Sequence, residues 1–265
     1  MIKVLAIGNS FSQDAETYIH QIAAASGIDL MMANLYIGGC PLERHHQNID
    51  EDAAAYAYTK TGAEMREASI REALEEEKWD YVTMQQVSGL SGKYETYQPH
   101  LAILSEYVKK YAPQAEQLIH ETWAYEIDSE HSQFGNYDSD QFKMYMALRN
   151  AYDQAALSLG GARVIPCGDA MQIARSHPLF DYAKGGKSLN RDGFHASYTH
   201  GRYLLGLVWV ETLTGADLTD NSYFPDRTPA EREVITPTAE EIAALKACAH
   251  KAVEARKAVR IGTAI

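Results

Sequence analysis

Residues 4–15, VLAIGNSFSQDA, decide how the chain is read. An apolar run breaks off at Gly8-Asn9-Ser10, and a helix-like segment follows at once. Residues 2–7 (IKVLAI) are short, apolar and rich in branched side chains, which predicts a buried strand. Working outward, strand-like and helix-like segments alternate. Helices are expected at residues 14–25, 63–78, 101–111, 141–159, 196–213 and 238–259. Strands are expected at 28–37, 80–84, 116–122 and 162–166. In the second helix Met65, Ala68, Ile70 and Leu74 form the inner stripe, and in the last Thr238 and Glu241 stand at capping-box spacing. Strands alternating with helices of this length predict βαβ units on a parallel sheet covered on both faces. The expected fold is therefore an α/β, flavodoxin-like three-layer sandwich with a five-stranded parallel sheet. A single domain is expected over residues 1–265, with 216–265 a C-terminal extension whose helix packs on the body. The loop at 219–237, with three prolines, ties that helix on.

Composition narrows the function. The 265 residues carry a formal net charge of −12, which argues against nucleic acid and against an anionic membrane surface. Cys40, Cys167 and Cys248 are too few and wrongly spaced for a disulfide framework or structural zinc. No run is long enough to span a bilayer, and the N-terminus lacks a signal-peptide pattern, so a cytoplasmic protein is expected. Oligomeric state is not legible.

In open α/β sheets, ligands bind beyond the carboxyl ends of the strands. Ser10 stands at such an end. It could be a helix cap, since Ser10 and Gln13 have S-x-x-Q spacing and Ser12 or Asp14 could cap equally well. No phosphate-loop or dinucleotide motif is present, and G-x-S-x-G is absent. As a nucleophile Ser10 needs a base. Two D-x-x-H pairs are available, Asp128–His131 and Asp192–His195. The first lies in a polar loop. The second follows the fifth expected strand and runs straight into an apolar helix, which pins it near the strand ends. A tight turn there can set the carboxylate on the imidazole Nδ1 and leave Nε2 for the serine.

On these residues the chain resembles a family. IGNSFS near the start and DGFHASYTHGRYLLGLVW near the end are similar to the first and last motif blocks of the SGNH, or GDSL-type, serine hydrolases. The resemblance spans about residues 2–215 by order and spacing. The family carries Asp where this chain has Asn9. The resemblance implies a Ser10–His195–Asp192 triad. It also implies an oxyanion hole from the N–H groups of Ser10 and Gly39 and a third donor after the third expected strand. There the usual Gly-x-Asn-Asp is replaced by DYVTMQQVSGLSG, so Gln85, Gln86 or Ser88 is the candidate, with Gln86 chosen. His45, at the expected cleft rim, and Trp123 and Tyr125, after a strand, are candidate substrate contacts; His45 is better read as a hydrated helix start. No metal or organic cofactor is implied. The expected activity is hydrolysis of a short acyl ester, acetyl foremost, on a small molecule or saccharide. The alternative is a carbohydrate-binding module on the same fold with weak or no catalysis.

Overall fold

The computed structural model describes residues 1–225 and 235–258. In chain order the elements are β1 (Ile2–Gly8), α1 (Ser10–Glu16), α2 (Ile19–Ala25), β2 (Leu30–Tyr36), α3 (Leu42–Asp50), β3 (Tyr56–Lys60) and β4 (Arg66–Ala68). There follow α4 (Ile70–Glu76), β5 (Tyr81–Met84), α5 (His100–Tyr111), β6 (Glu116–His120), α6 (Gln141–Ser158), β7 (Arg163–Ile165), α7 (Cys167–Arg175), α8 (His200–Thr214) and α9 (Ala239–Ala258). Pro229 of the expected tying loop and the expected helix end at Val259 lie outside the described residues.

The sheet has seven strands in the order β4-β3-β2-β1-β5-β6-β7, not five. Five of them, β2, β1, β5, β6 and β7, pair in parallel as expected; β3 and β4 add an antiparallel hairpin on the β2 edge. The helix expected over 63–78 is the error behind the miscount. Ser69 caps α4 in a reciprocal capping box with Glu72, so the helix starts at Ile70 and leaves residues 66–68 free to pair with β3. Met65, expected on the inner stripe, is exposed.

Residues Val4 to Gly8 of β1 are buried in unbroken succession, which means both faces of the sheet are covered. One helical group joins α1, α2, α7 and α9 around α8; another joins α3, α4 and α5. Residues 203–213 of α8 are all buried. A helix apolar all round needs cover all round, and α9 supplies part of it through Leu245, Ala249, Ala252 and Val253. No described helix is long and apolar enough to cross a membrane.

Register sets up the site. Gly8 lies level with Tyr36, and Ile7 with Met84. The segments leaving β1, β2 and β5 therefore emerge side by side on one rim of the sheet.

Candidate active site

At the end of β1 the chain must turn from strand to helix, and Asn9 makes the turn. It holds extended backbone angles, and its Oδ1 accepts the Phe11 N–H at 3.0 Å. Asn9, not Ser10, is the N-cap of α1. Ser10 is the first helical residue, and its hydroxyl is left for another partner.

That partner comes from the segment before α8. His195 Nε2 lies 2.9 Å from Ser10 Oγ, and His195 Nδ1 lies 2.7 Å from Asp192 Oδ2. Gly193 sits at φ +85°, a left-handed conformation glycine adopts without strain, and it lets the turn close. Asp192 Oδ1 accepts the backbone N–H groups of Phe194 and His195 at 3.2 and 2.8 Å. Partial burial would raise the Asp192 pKa, but the hydrogen bonds from the His195 side chain and from these amides hold the carboxyl below its ordinary value. Asp192 thus stays ionised beside the imidazole.

Asp14, one helical turn beyond Ser10, fastens this segment to α1. Its fully buried carboxylate accepts from Arg191 Nη1 at 2.8 and 3.0 Å, from Arg202 Nε at 2.8 Å and from the Ala196 N–H at 3.0 Å. Arg191 precedes Asp192, and Ala196 follows His195. Both flanks of the Asp192–His195 turn are therefore tied to the helix that carries Ser10. Sequence reading considered Asp14 only as a cap. The available signal was its i+4 spacing from Ser10, which puts both on one helix face.

The turn after β2 closes the other side. Gly39 stands at φ +62°, and no described acceptor takes the N–H of Gly39 or of Ser10. Asn9 links the two turns, because its Nδ2 donates to the Cys40 carbonyl at 3.2 Å. Gln85 Nε2 donates to Asn9 Oδ1 at 2.7 Å, and His120 Nδ1 meets Gln85 Oε1 at 2.6 Å. Burial lowers the His120 pKa to about 3, so the ring is neutral and Nδ1–H is the donor. This uncharged chain accounts for Asn9: an aspartate has no N–H for Cys40.

Several expected contacts are corrected. Gln86 does not line the cleft; its Oε1 accepts from Leu42 N and Val87 N, and its Nε2 donates to Thr96. With Gln85 committed to Asn9, neither amide is free for an oxyanion. Ser88 does line the cleft, paired with the Tyr125 hydroxyl at 2.9 Å. His45 is buried rather than hydrated, 2.8 Å from the Tyr56 hydroxyl, and burial pushes its pKa down to about 3. Trp123 and Tyr125 are buried as well. Trp123 stacks on Phe11 at 4.2 Å and donates to the Phe194 carbonyl, so it supports the wall without facing a ligand.

The cleft itself encloses about 280 Å³ and is lined by Ser10, Gly38, Gly39 and His195, together with Phe194, His131 and Gln133. His131 belongs to the D-x-x-H pair set aside on sequence grounds, and Gln133 was not singled out. Asp128 is no partner to His131, since it accepts from the Tyr182 hydroxyl. Elsewhere Glu211, His250 and Glu254 on α8 and α9 are spaced to share a cation, but His250 Nδ1 already meets Glu211 Oε1 at 2.6 Å.

A family model described as a domain of unknown function, DUF4886, matches residues 3–243. A crystal structure of a DUF4886 family protein from Bacteroides uniformis is 41% identical and superposes with a TM-score of 0.86, covering 96% of this chain and 95% of that one. A protein of Slackia heliotrinireducens described as a candidate SGNH hydrolase is 23% identical, with a TM-score of 0.54 over 79% of this chain and 97% of its own. Axe2, an acetylxylan esterase from Geobacillus stearothermophilus, is 14% identical, with a TM-score of 0.50 over 80% and 94%. At such identities the likeness is one of fold alone. No curated protein matches the sequence.

Proposed function

The chain belongs to the DUF4886 family, and on that premise we propose that it is a serine esterase on the SGNH fold, with Ser10, His195 and Asp192 as its catalytic triad and a short acyl ester as its substrate. The observation that carries the reading is the unbroken contact from Asp192 Oδ2 through His195 to Ser10 Oγ, 2.7 and 2.9 Å long. A serine hydroxyl is a weak nucleophile until a base accepts its proton.

In the proposed cycle Ser10 Oγ attacks the ester carbonyl carbon while His195 Nε2 takes the hydroxyl proton. Asp192 holds the ring in the tautomer that leaves Nε2 unprotonated and stabilises the imidazolium that forms. Negative charge gathers on the carbonyl oxygen, where the N–H groups of Ser10 and Gly39 are the proposed donors. Such donors are commonly the largest electrostatic contribution, with about 2.7–4 kcal/mol lost when one is removed. The tetrahedral intermediate collapses, and His195 returns the proton to the departing alcohol oxygen. Water, deprotonated by the same imidazole, then attacks the acyl-enzyme and restores Ser10. A cleft of about 280 Å³ shared between both halves of the ester favours a small acyl group, acetyl foremost.

A second reading, ligand binding without turnover, is favoured by one observation: Gln85 and Gln86 both spend their amides inside the protein, so neither side-chain amide after β5 is left for the oxyanion. Hydrolysis of p-nitrophenyl acetate by wild type and Ser10→Ala separates the two. Turnover that disappears in the variant supports the esterase. Equal rates in both proteins would reject Ser10 as nucleophile.

A further inference from the structure

The proton that His195 takes from Ser10 must be delivered to the departing alcohol oxygen, so the alcohol half of a substrate leaves on the imidazole side of the cleft. Phe194 and His131 stand on that side. The Phe194 ring lies 4.1 Å from His195 and 4.7 Å from His131, and Tyr125 closes a triangle with these last two rings, 4.7 Å from His131 and 5.7 Å from Phe194. His131 is thus one corner of a cluster of three rings, beside the reacting base.

Its two nitrogens are distinguishable. Nδ1 accepts the Gln133 backbone N–H at 3.2 Å, so in the neutral ring the proton sits on Nε2. No described residue accepts from Nε2. Burial and then the neighbouring His195 lower the pKa of His131, which keeps the ring neutral. Gln133 extends the surface. Its side chain lies over Gly89 so closely that a Cβ there would stand 1.9 Å from Gln133 Oε1. Glycine at 89 leaves room for the amide to lie along the cleft, where no described group bonds to it. The alcohol side therefore presents an N–H donor, an amide that both donates and accepts, and an aromatic face from Phe194.

We propose that His131 and Gln133 form the recognition site for the leaving alcohol, and that they select esters whose alcohol carries further hydroxyl groups, such as partly acetylated sugars, over esters of simple alkanols. This rests on the Ser10–His195 esterase reading. A hydroxyl can donate and accept, and so can satisfy both side chains at once. An alkyl chain leaves them dehydrated and unpaired, and sites built to bond a hydroxyl discriminate strongly against analogues lacking it. Phe194 suits the C–H face of a sugar ring.

The test is the ratio of kcat/KM for a monoacetylated methyl xyloside to that for n-butyl acetate, in wild type, His131→Phe and Gln133→Ala. His131→Phe keeps a ring against Tyr125 and Phe194 but has no N–H. The ratio is expected to favour the xyloside in wild type and to fall on the order of tenfold in His131→Phe, the size of one lost hydrogen bond. A smaller fall in the same direction is expected for Gln133→Ala, whose half-exposed position also gives a readout if the ring variant does not fold. A ratio unchanged in the folded variants overturns the proposal while leaving the esterase reading intact. If wild type cleaves neither ester and a fluorophosphonate does not label Ser10, the esterase reading itself fails and takes the proposal with it.

Discussion

An aspartate at position 9 would still accept the Phe11 N–H, but it has no proton for the Cys40 carbonyl, and its charge would be buried. Asn9→Asp is therefore expected to lower stability by about 1–3 kcal/mol, the cost of a buried polar group left unmet, and to lower kcat by loosening Gly39 against Ser10. Thermal melts and p-nitrophenyl acetate kinetics check both. A variant with wild-type stability and rate would mean that the chain from His120 through Gln85 to Asn9 is incidental. Asp14 acts at the same scale. Asp14→Asn keeps the shape but halves the acceptor capacity for Arg191, Arg202 and Ala196 N–H. It is expected to reduce kcat on the order of tenfold with little change in KM, because it shifts His195 without touching substrate. An altered KM with unchanged kcat would contradict a positioning role. At this scale the sequence was legible where chain order alone sufficed: Ser10 behind a strand, and Asp192 and His195 before a helix. It was not legible where reach decided. Gln85, Gln86 and Ser88 all lie beyond the end of β5 at Met84, so strand alternation does not govern which of them points at the cleft. His45, Trp123 and Tyr125 follow strands, as a site residue should, and turn inward instead.

Among the elements, α9 is joined to the body by charge as well as by apolar packing. Arg256 lies against buried Glu121 at 3.0 Å and Asp169 at 2.9 Å, and pairs with Asp153 as well. Burial, and then Asp169, raise the Glu121 pKa, so losing the guanidinium would leave two acids facing each other in the core. Arg256→Ala is expected to destabilise the protein by about 3–5 kcal/mol, read by denaturant unfolding; a change under about 1 kcal/mol would contradict the assignment. At the other end of α9, Glu241 receives hydrogen bonds from Lys187, His200 and the Thr238 N–H. Burial would raise its pKa, but these partners hold it at about 2, against an ordinary value of 4.5. A carboxylate lowered on folding stabilises the native state above about pH 4.5, and that contribution is lost as pH falls toward about 2. Wild type should therefore lose more stability than Glu241→Gln across this window; parallel losses would contradict it. The capping boxes at Ser69–Glu72 and Thr238–Glu241 were both present in the sequence. Only the second was used, and overlooking the first merged β4 into a helix. The β3–β4 hairpin was hidden because its short strands lie at the sheet edge, where fewer apolar residues mark them.

In the whole molecule, residues 10 and 195 meet because the register of β1, β2 and β5 brings their following turns to one rim, and because α1 packs on α8. Order and spacing were enough to foresee that meeting; the neutral brace beneath it was not foreseeable, since its parts are scattered over β1, β5 and β6. With Asp192 held ionised beside its Nδ1, His195 is the proposed base for the Ser10 proton. The most direct test of the central claim is covalent labelling by a fluorophosphonate followed by peptide mapping. The account predicts one label per chain, on Ser10, with labelling abolished in Ser10→Ala and slowed at least a hundredfold in His195→Ala, about the low end of what a general base contributes. An unlabelled protein, or a label carried by another residue, would contradict it.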